Sequence, residues 1–186
     1  MPPVKIIGLS GSLRQRSFNT GLLRAAAELA PDGVTIEIAD LSQLPLYNDD
    51  LRQAGAPAPV NTLRATLASA DAVLFATPEY NYSVPGVLKN AIDWVSRPPD
   101  PPLAGTPGAV MGASAGLGGT MRAQYHLRQM MVFLDVPMLT RPEVFVQKAG
   151  ERFDADSRLV DEETRAHVTR LVEALVGWTR RLGGAT

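Results

Sequence analysis

A doubly wound α/β sheet with helices on both faces is the fold this sequence predicts. Short apolar runs of strand length alternate along the chain with helix-length periodic segments. Two of those runs, Val4–Leu9 and Ala72–Thr77, are almost wholly apolar, which suits strands covered on both sides. A length of 186 residues is right for one such domain, spanning 1–186.

The elements follow in order. Val4–Leu9 is the first strand. The helix after it starts near Phe18, carries its apolar stripe on Leu22, Leu23, Ala26, Ala27 and Ala30, and stops at Pro31-Asp32-Gly33. Val34–Ala39 is the second strand. Asp49 and Asp50 follow a Leu44-Pro45-Leu46-Tyr47 turn and are assigned to a solvated loop. Val60–Ala70 reads as the second helix and Ala72–Thr77 as the third strand. Pro85 suits the first turn of the third helix. That helix is striped by Leu88, Ala91, Ile92 and Val95, with Lys89 and Asp93 paired on its other face. Gly108–Met111 is the fourth strand. Leu127, Met130, Met131 and Leu134 stripe the fourth helix, the two methionines as core. The fifth strand is drawn from Pro137–Leu139 together with Val144–Val146. Asp161, Glu162 and Glu163 open the last helix and Arg180 and Arg181 close it, matching the helix dipole, with Gly183 just beyond. The proline-rich stretch at 98–102 is a stiff surface connection.

Composition narrows the function classes. A 45% hydrophobic and 20% charged content is that of an ordinary globular domain. A net charge of -1 offers nucleic acid no broad basic surface. There is no cysteine, which removes disulfides, thiolate metal sites and cysteine nucleophiles together. Two histidines, His126 and His167, are too few for a histidine metal cluster, and both read as exposed or packing residues. No metal site is expected. Neither a secretory leader nor an apolar run of membrane-spanning length is seen, so a cytoplasmic protein that engages no membrane is expected.

Right-handed crossovers place the strand-to-helix loops along one sheet edge. Three of them are unusual: Ser10–Asn19, Pro78–Pro85 and Ala113–Gly119. The first is strand, hydroxyl-rich turn and helix start, which makes an anion site. Ser10, Ser12, Ser17 and Thr20 bring hydroxyls, and Arg14 and Arg16 bring forked cationic donors suited to phosphate. Which phosphate follows from what the loop lacks. No Gly-Lys-Ser or Gly-Lys-Thr is present, so it is not a P-loop. Gly8 and Gly11 are followed by Ser, Leu, Arg and Gln, so the dinucleotide fingerprint is missing, although Asp40 stands where its ribose-binding acid would. A terminal phosphomonoester, such as that of FMN, suits a loop of hydroxyls better than a bridging pyrophosphate does. In the order 2-1-3-4-5 a flavin lies at the switch point between the first and third strands. The loop after the third strand then meets the flavin ring. It reads Thr77-Pro78-Glu79-Tyr80-Asn81-Tyr82-Ser83-Val84-Pro85-Gly86, two prolines bracketing flat and amide side chains.

These motifs resemble the NAD(P)H-dependent FMN reductases, a family that includes quinone, chromate and azo-dye reductases. Gly11-Ser12-Leu13-Arg14 with Ser17-Phe18-Asn19 is similar to the family's phosphate loop. Pro78 to Ser83, continued by Pro85-Gly86 and Leu88-Lys89-Asn90-Ala91 with Asp93-Trp94, is similar to its flavin-ring signature. Ala113-Ser114-Ala115-Gly116 with Gly118-Gly119 is similar to the loop that closes over the flavin. The resemblance spans roughly the first three quarters of the chain. It implies a flavodoxin-like five-stranded parallel sheet and FMN as cofactor. By that resemblance Ser10, Ser12, Arg14, Ser17, Phe18 and Asn19 contact the FMN phosphate and ribityl region. Pro78, Glu79, Tyr80, Asn81 and Ser83 line the isoalloxazine, and Ser114 and Gly116 touch it from the third loop.

The expected activity is hydride transfer from NADH or NADPH through FMN to a small acceptor, a quinone by preference, in a ping-pong cycle. Free flavin, azo dyes, nitroaromatics and chromate remain open as acceptors. No side chain need act as a catalyst, because the chemistry belongs to the flavin N5. The alternatives are a flavodoxin-type electron carrier, against which the near-neutral charge speaks, and a flavin-free α/β interaction domain. The resemblance implies a homodimer or homotetramer, with Trp94, Arg122, Tyr125 and Glu143 as candidate subunit contacts.

Overall fold

In a computed structural model the chain forms a five-stranded, wholly parallel sheet. The structure describes residues 2–183, so Met1 and residues 184–186 of the expected domain lie outside it. In chain order the elements are β1 (Val4–Ser10), α1 (Phe18–Glu28), β2 (Val34–Ala39), α2 (Asp49–Gln53), α3 (Ala58–Ala68) and β3 (Ala72–Ala76). There follow α4 (Gly86–Val95), β4 (Gly108–Ala113), α5 (Met121–Phe133), β5 (Val144–Val146) and α6 (Glu162–Gly183). The spatial order is β2-β1-β3-β4-β5, as expected for a flavodoxin-like sheet.

The apolar runs are explained by which face each side chain meets. Along β1, Val4 and Ile6 enter one core with α1 and α6, while Ile7 and Leu9 enter a second core with α3, α4 and α5. Along β3, Leu74 and Ala76 face the first core and Val73 and Phe75 the second. A central strand covered on both faces is apolar along its covered length; in β1 Lys5, half-buried near the amino end, is an exception. Each fully buried Leu, Ile or Phe contributes roughly 1.5–3 kcal/mol of transfer free energy, and the two cores lie on opposite faces of the sheet.

Several elements depart from expectation. Asp49 and Asp50 do not lie in a loop: they open the short helix α2, where Asn48 caps the amide of Asp50 and Asp49 bonds Tyr47, Arg52 and Gln53. Pro85 is the N-cap of α4 rather than a residue of its first turn. The fifth strand is reduced to Val144–Val146. Of Pro137–Leu139 only Met138 bridges β4, opposite Gly108. α6 continues through Gly183 instead of stopping before it. Trp94 is a core residue, 1% exposed, with Nε1–H donating to the Pro45 carbonyl at 2.8 Å, so it makes no subunit contact. The segment before α2 folds back over α4 and covers it. Among the described residues no helix is long and apolar enough to cross a membrane.

Candidate cofactor-binding site

The loops after β1, β3 and β4 meet at the carboxyl edge of the sheet, where the strand order switches direction. In the first loop the hydroxyls fold the backbone upon itself. Ser10 Oγ lies 2.8 Å from Thr20 Oγ1 and accepts from the Ser12 amide at 3.3 Å. Ser12 Oγ accepts from the Arg14 amide at 3.4 Å. Ser17 is the N-cap of α1 and accepts from the Thr20 amide at 3.2 Å. The Gly21 amide reaches the Ser17 carbonyl, leaving the amides of Phe18 and Asn19 without an acceptor among the described residues. Arg14 and Arg16 are exposed, and neither has an acidic partner among the described residues. Ser10, Ser12, Leu13, Arg14 and Thr20 line a cavity of about 290 Å³ that opens toward the end of β2. The Phe18 ring packs on Phe153, 5.0 Å between centroids, so this residue presents its amide rather than its ring to the loop.

The second loop is a tight hairpin. Tyr80 and Ser83 exchange both backbone hydrogen bonds, at 3.1 and 3.0 Å. Asn81 and Tyr82 between them have φ of 51° and 63°, the left-handed pair of a type I′ turn. Tyr80 and Tyr82 are 48% and 66% exposed. The Arg122 guanidinium sits 3.9 Å above the Tyr82 ring centroid. Glu79 turns the other way and serves as a cap for α5. Thr120, at the N-cap with φ 71°, caps none of the helix amides; its hydroxyl accepts from the Gln124 side chain. The Glu79 carboxylate instead accepts from the amides of Arg122 (2.9 Å) and Ala123 (3.2 Å) and from the Arg122 guanidinium (2.8 Å). Burial pushes this carboxyl up, but the hydrogen bonds from Arg122 and Ala123 together outweigh it and hold the group below its ordinary range. Ser83 Oγ lies 3.1 Å from Nδ1 of His126 on α5.

The third loop is pinned to β5: the Ser114 amide donates to the Val146 carbonyl and the Ser114 carbonyl accepts from the Ala149 amide. Ser114 Oγ reaches the Gly116 carbonyl at 3.4 Å. Gly119 ends the loop at φ 52°, where a Cβ would stand 2.7 Å from the Phe145 carbonyl carbon.

Each loop is fastened to the next. The Gly11 amide donates to the Ala76 carbonyl at 2.8 Å, and a Cβ at Gly11 would lie 2.8 Å from Pro85 and 2.9 Å from Pro78. Only glycine lets the first two loops touch in this way. Asn19 joins the first loop to the third: its amide oxygen accepts from the Ala113 amide at 2.9 Å and its amide nitrogen donates to the Ala113 carbonyl at 3.0 Å. Glu79 joins the second loop to α5. The edge therefore carries free cationic and amide donors at one end and flat, exposed rings at the other. That donor set fits a ligand with a terminal phosphate and a planar ring system, which is the shape of FMN.

The family whose model is described as NADPH-dependent FMN reductase matches residues 4–151. The chain belongs to this family. An NAD(P)H-dependent FMN reductase of Pseudomonas aeruginosa is 54% identical to it, over 97% of this chain and 98% of its own. An NADPH:quinone oxidoreductase of Arabidopsis thaliana is 45% identical, over 98% and 95% of the two chains. A quinone reductase of Escherichia coli is 40% identical, over 96% and 97%. The solved structure of the flavoenzyme NAD(P)H:(acceptor) oxidoreductase FerB of Paracoccus denitrificans superimposes with a TM-score of 0.87 at 37% identity, over 96% and 98%. This FMN reductase family member is thus an oxidoreductase that uses FMN as cofactor and NAD(P)H as reductant.

Within this FMN reductase, the structure gathers Ser10, Ser12, Arg14, Ser17, Phe18, Asn19, Pro78, Glu79, Tyr80, Asn81, Ser83, Ser114 and Gly116 at the single edge just described. Their side chains are not equally free. Those of Asn19 and Glu79 are engaged in joining loops, and the Ser10 hydroxyl in shaping its own loop. Two residues of α5 join the site without having been among the expected ones. Arg122 reaches both Glu79 and Tyr82, and His126, exposed as expected, also reaches Ser83. The signal in the sequence was the spacing of Arg122 and His126, four apart and so on one helix face.

Proposed function

We propose that this protein is an NAD(P)H:quinone reductase that works by a ping-pong cycle on FMN held at the β1/β3 switch point. The observation that carries this reading is the pairing of unpartnered donors in the first loop with exposed flat side chains in the second, across the contact at Gly11. The phosphate is held by Ser12, Arg14 and Ser17 with the amides of Phe18 and Asn19, where a dianion meets hydroxyl, guanidinium and the positive end of α1. Ser10 and Asn19 keep that loop in shape from behind. Pro78, Glu79, Tyr80, Asn81 and Ser83 support the isoalloxazine, and Ser114 and Gly116 border it.

Bound FMN supplies the two-electron chemistry, accepting a hydride from NAD(P)H and passing it on. The chain keeps one face of the site open, since the hairpin tip stands out from the surface and no described element covers it. Reductant and acceptor then use that face in turn. A quinone is favoured because several relatives are named quinone reductases and because flat aromatic side chains frame the opening. The assembly is a homodimer or homotetramer, with Arg122, Tyr125 and Glu143 among the residues at subunit contacts. The exposed Val132 and Phe133 near the end of α5 support this.

The test is a visible spectrum of the FMN-loaded protein under anaerobic NADH or NADPH. Bleaching that is reversed by a quinone, with parallel double-reciprocal plots, is the expected result. Converging lines would remove the ping-pong order, and flavin that NAD(P)H cannot bleach would leave only an electron carrier.

A further inference from the structure

We propose that Ser83 and His126 form a proton relay that protonates the acceptor during its reduction. Reduction of a quinone to a hydroquinone consumes one hydride and one proton. The hydride arrives by way of the flavin; the proton must come from a donor beside the acceptor oxygen.

The residues around the second loop leave one candidate that can both carry a proton and reach a loop hydroxyl. The chain has no cysteine and only two histidines. His167 lies on α6, in a separate cavity with Glu163 and Arg152. His126 is exposed on α5, and its Nδ1 is 3.1 Å from Ser83 Oγ. Glu79 is held ionised by Arg122 and Ala123 and has no proton to give at neutral pH. Lys89, which shares a cavity of about 250 Å³ with Ser83, Val84, His126, Gln129 and Met130, is engaged at 2.7 Å by both oxygens of Asp93. The charged groups about His126 are therefore the Lys89–Asp93 and Arg122–Glu79 pairs, each internally compensated.

The geometry is held from both ends. Ser83 is fixed by the two backbone bonds of the hairpin, and α5 is fixed to the same loop at its second and third residues by Glu79. The donor and its hydroxyl bridge thus move as one unit. In the step itself the acceptor carbon or oxygen takes the hydride, and the Ser83 O–H bond breaks as its proton passes to the acceptor's anionic oxygen. The protonated His126 Nδ1–H bond breaks to restore the serine hydroxyl. Neutral His126 is then reprotonated from solvent through its exposed edge. No electrons beyond the hydride pair are required. His126 acts through Ser83 and so is a positioning and proton-supplying residue, whereas Ser83 meets the acceptor.

This inference rests on the reading that Ser83 borders the flavin ring, and the test separates the two. The FMN-loaded protein is assayed with NADH and either a benzoquinone, which must be protonated, or ferricyanide, which takes electrons alone. For His126→Gln and for Ser83→Ala the ratio of quinone to ferricyanide turnover should fall about tenfold or more. In the unsubstituted protein the quinone rate should decline as pH rises through the range in which histidines lose their proton, and this decline should vanish in His126→Gln. Ser83→Thr, which keeps the hydroxyl, should restore the ratio. Without cofactor, nitrogen-correlated NMR of His126 should show its Nδ1 signal move when Ser83 becomes Ala. An unchanged ratio and pH profile would overturn the relay. So would an equal loss with both acceptors, which would make the pair structural. Flavin still bleached by NADH in those variants would leave the reductase reading intact while the relay fails.

Discussion

Arg14 has no carboxylate to answer to in the described protein, so its charge is available to a ligand. A charge-assisted hydrogen bond is worth roughly 1.5–3 kcal/mol. Arg14→Ala should therefore weaken FMN binding about ten- to a hundredfold, read as the dissociation constant from flavin fluorescence quenching. Ser12→Asp should weaken it further, because it sets a carboxylate against a dianion. Asn19 calls for a different measurement. Its amide is buried and spent on both backbone groups of Ala113. Asn19→Ala should cost stability, about 1–3 kcal/mol in urea unfolding, because buried polar groups lose their partners. Residue identities in these loops were legible from the order of hydroxyls, arginines and prolines. Which of them face a ligand and which face another loop was not, since Asn19 and Ala113 are far apart in the chain and nothing local pairs them.

Helix starts are where electrostatics enters most clearly. Asp161 caps α6: its carboxylate accepts from the hydroxyl and amide of Thr164 and from Arg152, at 2.6, 2.9 and 2.6 Å. The Thr164 bonds, with Arg152 assisting, lower its pKa from 3.8 to about 2. A lowered folded-state value contributes stability that is complete above the ordinary value and is lost as pH falls through the lowered one. Unfolding free energy should therefore fall between about pH 4 and pH 2, and Asp161→Asn should remove part of that slope. Glu79 has the same sign at α5, so Glu79→Gln should lower stability at neutral pH and narrow the difference on acidification. The cap of α6 was readable because Asp161 adjoins the helix it serves. The cap of α5 was not, because Glu79 comes from the loop after β3, and Thr120 gives no local hint that a carboxylate will arrive from elsewhere. The same distinction separates β1 and β3, whose apolar runs announce burial on two faces, from α2 and the three-residue β5, which depend on neighbours supplied by tertiary structure.

At the scale of the whole molecule, the sheet order, both cores and the site edge follow from strand burial and crossover handedness. Trp94 shows where such inference stops: a large aromatic on a helix reads equally well as a contact surface or as core, and only the return of the segment through Pro45 decides it. Val132 and Phe133, 82% and 86% exposed, are the apolar residues that the monomer leaves uncovered at the end of α5. Light scattering should give a dimer or tetramer at micromolar concentration, and Val132→Glu combined with Phe133→Glu should shift the mass toward one chain if this patch is buried by association. A monomeric mass for the unsubstituted protein would refute the assembly.

Tyr82 occupies a backbone conformation that glycine would adopt freely. Two backbone bonds between Tyr80 and Ser83 close the turn without its ring, which lies instead against the Arg122 guanidinium. For the turn alone a residue without a side chain would serve better. The use of the ring therefore lies outside the hairpin, in its contact with Arg122 and in what approaches the tip, and a library randomised at this codon should separate variants selected for thermal survival from variants selected for turnover.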